Sequence, residues 1–185
     1  GGGTMGNGIA QAFAQCGHQV ILRDLDQAIL DKAAKAIDKS LSKLAEKGKL
    51  TAEERDAALG RLQTATDLAA LSGCDLVVEA IVEKLEAKLE TFRELDRLTP
   101  TAAILASNTS SISITKLAAA TQRPDKVIGM HFMNPVPVMQ LVEVIRGIAT
   151  SDETTARVLE LARAMGEPAA EDSMLQQLRR RYPDA

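Results

Sequence analysis

Residues 1–6 read GGGTMG, and Gly1, Gly3 and Gly6 fall at the spacing G-x-G-x-x-G, with Thr4 and Met5 between the last two glycines. Such a loop ends a strand, turns tightly and opens a helix whose first amides face a phosphate. The spacing alone is a weak signal, and the residues that follow strengthen it. In NGIAQAFAQCGH (7–18), Ile9, Ala12, Phe13 and Cys16 share a helical face and Gly17 ends the helix. QVILRDLD (19–26) is then a short apolar strand that closes on Asp24, eighteen residues after Gly6. A carboxylate at that point accepts hydrogen bonds from a ribose and repels a 2′-phosphate, so the pattern selects NAD over NADP. A glycine loop of this kind hangs from a central strand, and no strand precedes Gly1. The sequence is therefore expected to be a piece of a longer protein, since a sheet without that strand leaves two edges unpaired.

Downstream, helix and strand patterns alternate. Gln27 to Lys47 is helical, with Leu30, Ala34, Ile37, Leu41 and Leu44 on one stripe. TAEERDAALGRL (51–62) is a second helix, opened by Thr51 and Glu54 as a capping box. CDLVVEAI (74–81) is a continuous apolar run, the pattern of a strand covered on both faces. KLEAKLETFRELDRL (84–98) has helical period, AAILASN (102–108) is a strand and SITKLAAAT (113–121) a helix. DKVIGMHF (125–132) and MQLVEVI (139–145) are two further strands, joined by the turn-rich MNPVPV (133–138). Ser151 to Gly166 is a helix with Asp152 and Glu153 in its first turn. The alternation predicts an α/β fold around a mainly parallel sheet. From Glu167 the chain turns polar, and Arg179–Arg181 reads as a solvated helix end.

Composition narrows the function. With 45% hydrophobic residues in 185, the chain can bury the core of one domain. A net charge of −3 implies no basic face for nucleic acid, and 2% aromatic content argues against stacking platforms for single strands. No apolar stretch has the length of a membrane span. Cys16 and Cys74 lack the spacing of a metal site or a disulfide framework. They are expected to be small buried hydrophobes in a reducing compartment, with no metal; the default location is cytoplasmic, with mitochondrial as the alternative because the N-terminus is expected to be missing.

His131 and Glu143 each interrupt an apolar strand. Burying a carboxylate between Val142 and Val144 is costly unless it is paired, and an imidazole is the obvious partner. A Glu on one ring nitrogen fixes the tautomer and leaves the other nitrogen to move a proton. Ser110, in SNTSS, suits either a helix N-cap or a ligand contact beyond the carboxyl end of a strand. Asn134 is by itself a turn residue before Pro135, and Glu83 and Lys88 an ordinary charged first turn of a helix. Ser40, Lys43 and Lys47 line one helical face, which taken alone is a solvated polar face.

Taken together, GGGTMGNGIAQAFAQCGH, DLVVEAIVEKLEAK, ASNTSSISIT and HFMNPVPVMQLVEVI resemble the NAD-binding domain of L-3-hydroxyacyl-CoA dehydrogenases, the short-chain 3-hydroxybutyryl-CoA type above all. The resemblance runs from Gly1 to about Gly166 and implies a Rossmann-type, doubly wound α/β domain with helices on both faces of a mainly parallel sheet. It implies NAD as cofactor and a short-chain (S)-3-hydroxyacyl-CoA as substrate. By this resemblance His131 is the base, Glu143 orients it, and Ser110 and Asn134 align the reacting groups. Gly1, Gly3, Thr4, Met5, Gly6, Asp24, Glu83, Lys88, Ser110 and Asn134 would contact NAD, and Ser40, Lys47 and Ser110 the coenzyme A handle. A homodimer is implied for the intact protein. Residues 167–185 do not match the helical domain that follows in the family, so 1–166 is expected to be the cofactor domain and 167–185 a divergent tail. Without that domain, a non-catalytic NAD-binding fragment or degenerate paralogue is the rival reading. A dehydrogenase of sugar acids on the same scaffold is a third, against which Ser40 and Lys47 weigh.

Overall fold

The computed structural model describes residues 1–139, 141–165 and 169–172. They divide into two compact units, Gly1–Ala70 with Asn134–Met139, and Leu71–Met133 with the described residues after 140.

In the first unit, helix α1 (Thr4–Gln15) leads into strand β1 (Val20–Arg23), helix α2 (Gln27–Glu46), helix α3 (Ala52–Gly60) and strand β2 (Leu62–Ala65). Asp26 caps α2 by accepting from Ala28 N at 2.8 Å, so the acidic end of β1 is also the start of the next helix. Along α2, Ala34, expected on the buried line, is only partly buried, and the line is Leu30, Ala33, Ile37 and Leu41. These residues close on Ala10 and Ala14 of α1, Leu22 of β1 and Ala58 of α3. Each of the buried Leu and Ile side chains contributes about 1.5–3 kcal/mol to that core. The capping box of α3 is complete: Thr51 Oγ1 accepts from Glu54 N at 3.1 Å and Glu54 Oε2 from Thr51 N at 2.8 Å. Strand β2 pairs in parallel with β1, Val20 opposite Leu62. Its sequence LQTA shows no apolar run because the strand is half polar and its middle two residues are exposed. The segment 134–139 joins this unit through buried Val136, which lies against α1 at Gly8; a Cβ there would come within 2.9 Å of Val136 Cβ.

The second unit is a five-stranded sheet in the order β3 (Leu76–Glu79), β4 (Ile104–Ser107), β5 (Val127–Phe132), β6 (Val142–Arg146) and β7 (Ala169–Asp172). All neighbours are parallel except β5 and β6. Helices α4 (Leu85–Leu98) and α5 (Ile114–Ala118) make the crossovers, and α6 (Asp152–Ala164) follows β6. Ser151 caps α6, accepting from Thr154 N at 3.1 Å. Met130, Phe132, Val142, Val144, Leu105, Leu117, Phe92 and Val158 are among the buried apolar side chains of this unit, all at most 2% exposed. Strand β3 departs from the sequence expectation of full cover. It is the edge of this sheet, and Leu76, Val77 and Val78 are only partly buried. Strand β7, beyond the boundary expected at residue 166, continues the sheet in parallel with β6. The run Arg179–Arg181 lies outside the described residues. Arg123, 7% exposed, locks α4 to the next crossover. Its Nε donates to Asp96 Oδ1 at 2.8 Å and its Nη2 to Thr99 O at 3.1 Å, and it also reaches the carbonyls of Asp96 and Pro100, so the end of α4 is satisfied by one side chain. Cys16 and Cys74 are partly buried rather than fully so.

The described residues thus form a Rossmann-type α/β fold, mainly parallel, with one antiparallel pair among them, β5 with β6.

Candidate active site

In the first unit the glycine loop has the form a phosphate requires. The first helical bond of α1 runs from Asn7 N to Gly3 O at 3.0 Å, so the amides before Asn7 have no partner within the helix. No side chain caps this end and no acidic residue stands in the first turn. A Cβ on Gly6 would lie 1.7 Å from Gly1 O, so no other residue fits the turn. Asp24, at the end of β1, is drawn to the same loop: its Oδ2 accepts from Gly2 N at 2.6 Å and its Oδ1 from Asp26 N at 3.3 Å. Partial burial pushes the Asp24 carboxyl up, but the Gly2 and Asp26 amides outweigh it and hold it below the usual carboxylate range. An anionic Asp24 beside uncapped amides fits a dinucleotide: donors for the diphosphate, an acceptor for a ribose, and a charge against a 2′-phosphate. Gly1, Gly3, Thr4, Met5 and Gly6 form this turn. Asn134 is exposed at the start of 134–139. On α2, Ser40 is partly buried, and Lys47, its C-cap, is exposed.

In the second unit, β5 and β6 set His131 directly opposite Glu143. His131 Nδ1 and Glu143 Oε2 are 2.8 Å apart, with the side chains 22% and 26% exposed. A carboxylate oxygen can only accept, so with Glu143 as acceptor the Nδ1–H donates to Oε2 and Nε2 is the ring nitrogen left to move a proton. Ser110 lies in the loop after β4 and is exposed. It does not cap α5, whose N-cap is Ser113.

Glu83 and Lys88 are part of a network that reaches deeper. Lys88 and Glu79 side chains are each 1% exposed, and Lys88 Nζ lies 2.7 Å from Glu79 Oε1 and 3.2 Å from Glu83 Oε2. Glu79 also accepts from Ser107 Oγ at 2.7 Å and from Ile81 N at 2.7 Å. Glu83 accepts from the hydroxyl of Thr109 and from Ser111 Oγ at 3.1 Å, the two residues that flank Ser110. Partial burial raises the Glu83 carboxyl, but Thr109 and Lys88 outweigh it and hold it below the ordinary range. Glu79, Ser107, Thr109 and Ser111 are absent from the sequence reading. Glu79 carried the same signal as Glu143, a carboxylate closing an apolar strand, but its partner sits nine residues on in a helix and looked like a surface charge. Among the described residues no group of three or more His, Cys, Asp or Glu side chains could hold a metal ion, and no helix is long and apolar enough to cross a membrane.

The profile of the family described as 3-hydroxyacyl-CoA dehydrogenase, NAD binding domain, matches residues 1–171. A probable 3-hydroxybutyryl-CoA dehydrogenase of Deinococcus radiodurans is 54% identical over 167 residues, 90% of this chain and 60% of the relative. Its counterpart in Bacillus subtilis is 50% identical over 171 residues, 92% and 60% of the two chains. The crystal structure of 3-hydroxybutyryl-CoA dehydrogenase from Escherichia coli K12 superposes with a TM-score of 0.92 at 44% identity, covering 94% of this chain and 37% of that one. The chain spans about 60% of the length of these curated relatives. With a glycine turn only glycine can make, a carboxylate at the end of β1 and a paired histidine, the chain belongs to the 3-hydroxyacyl-CoA dehydrogenase family, whose NAD-binding domain it carries.

Proposed function

We propose that this chain is the cofactor-binding part of an NAD-dependent dehydrogenase that oxidises (S)-3-hydroxyacyl-CoA to 3-ketoacyl-CoA and catalyses the reverse, with short acyl chains preferred. One observation carries the reading: His131 and Glu143, held opposite each other on paired strands at 2.8 Å. Glu143 anchors Nδ1, so Nε2 takes the proton of the 3-hydroxyl as the C3–oxygen double bond forms. The imidazolium that results is stabilised by the same carboxylate, and in reverse it returns the proton to the carbonyl oxygen. NAD, when bound, supplies the acceptor for the hydride that leaves C3. The Gly1–Gly6 turn with Thr4 and Met5 would hold its diphosphate and Asp24 its adenosine ribose.

Ser110 and Asn134 are assigned to align the reacting groups. Their support is exposure, and among the described residues no side-chain partner occupies the Ser110 hydroxyl. Glu83 is assigned to the cofactor, with Lys88 acting through it, because the buried Lys88 ammonium is already held by Glu79 and Glu83. Ser40 and Lys47 are assigned to the coenzyme A handle. The intact protein is read as a cytoplasmic homodimer. A second reading is a module that binds NAD without turnover, carried by the glycine turn and Asp24 alone.

The test follows NADH oxidation by absorbance with acetoacetyl-CoA, comparing this chain with His131→Ala while NADH binding is titrated in parallel. The expected result is turnover that falls roughly 10²–10⁴-fold in the variant with NADH affinity retained. Binding without turnover in either protein would establish the second reading. Loss of both would overturn the first and the second together.

A further inference from the structure

We propose that Asn108 is a positioning residue that fixes the loop bearing Ser110 against the strand bearing His131. The inference rests on the reading of Ser110 and His131 as partners in the reaction, and its geometry lies within the second unit. The parallel ladder between β4 and β5 has its last pair at Ser107 and Gly129. Strand β5 continues for three more residues to Phe132, carrying His131 past the point where β4 ends. Asn108 is the first residue beyond β4, and it bridges the gap. Its N–H donates to Glu79 O on β3 at 2.8 Å, and its Oδ1 accepts from Phe132 N on β5 at 2.8 Å. Because the donor is a backbone amide, the acceptor must be the amide oxygen, so the orientation of the Asn108 side chain is determined.

The loop that follows is tied on its other side. Thr109 Oγ1 accepts from Ser111 N at 3.3 Å and Ile112 N at 3.0 Å while its hydroxyl binds Glu83. Ser111 Oγ binds the same carboxylate at 3.1 Å. Ser110 therefore stands exposed between two anchors, Glu83 toward β3 and Asn108 toward β5. Only the second reaches the strand of His131. Phe132 is buried, so its amide has no solvent to turn to if Asn108 is removed. The resulting slack falls on the two residues whose separation the reaction must hold, and small misplacements of that kind lower rates steeply.

The test uses Asn108→Leu, nearly the same shape without the acceptor, and Asn108→Asp, which keeps it. Amide hydrogen exchange by NMR should show Phe132 protected in the parent and in Asn108→Asp, and roughly tenfold or more less protected in Asn108→Leu. The Ser110 amide and His131 ring signals should move with it, while the amides of Leu105 to Ser107 keep their protection. With acetoacetyl-CoA, kcat should drop roughly tenfold in Asn108→Leu at unchanged NADH affinity and recover in Asn108→Asp. Were the parent to bind NADH without turnover, the proposed activity would fall, and the exchange and chemical-shift readouts would still decide the positioning role. Unchanged Phe132 protection in Asn108→Leu overturns the proposal, as does lost protection with the Ser110 and His131 signals unmoved. If the Leu variant does not fold, Asn108→Ser, too short to reach Phe132, takes its place with the same readouts.

Discussion

Glu79 and Glu143 stand in the same kind of position, a carboxylate on an otherwise apolar strand, and each is resolved by one cationic or ionisable partner. For Glu143 the partner was legible, because His131 is one of only two histidines and interrupts the neighbouring apolar run. For Glu79 it was not, because Lys88 lies in a helix full of charges, and burial of its stem and ammonium is a tertiary fact. The glycine turn was legible for the opposite reason: its constraint is local, a backbone approach that any side chain would obstruct. Gly6→Ala places a methyl group 1.7 Å from Gly1 O and so must open the turn. NADH affinity should fall more than tenfold in a fluorescence titration, roughly 1.4 kcal/mol or more. His131 and Glu143 should keep their pairing, since they belong to the other unit. An unchanged affinity would mean that the turn does not hold the diphosphate.

At the scale of elements, helix α4 is the crossover whose inner face is polar at one point, where Lys88 enters beneath Glu79 and Glu83. Removing the cation alone leaves two carboxylates facing each other's field, one of them fully buried. Lys88→Met should therefore destabilise the protein by about 3–5 kcal/mol in urea unfolding. Pairing it with Glu79→Gln should recover a substantial part of that loss, because an amide at position 79 keeps partners in Ser107 and Ile81 without an unpaired charge. Equal stability of the single and double variants would sink the view that the stranded charge is the cause. The elements themselves were read well where packing and pattern coincide, as in the capping box at Thr51 and the apolar strand that carries His131. They were missed where pattern is faint. Strand β2 has two exposed polar residues among four, and β7 follows a proline in a polar stretch.

For the whole molecule, a ligand that binds only the folded chain raises its stability by mass action. NADH at a hundredfold excess over its Kd should add about 2.7 kcal/mol and raise the melting temperature. NADPH at the same concentration should leave it nearly unchanged, because the anionic Asp24 at the end of β1 meets the extra phosphate. Equal shifts for the two cofactors in a thermal melt would remove Asp24 from the role of selector.

What the sequence determined by itself was whatever depends on neighbours along the chain. The glycine turn, the helix caps, the alternation of strand and helix, and the end of β1 at an acidic residue all follow from local sterics and hydrogen bonding. The tertiary structure alone decided which distant groups share a proton or a charge. It set His131 in register with Glu143, buried Lys88 between two carboxylates, and placed Asn108 where a ladder ends and one more amide needs an acceptor. The reason is that a buried polar group must find its partner in space, and strand pairing brings together residues that no local pattern connects.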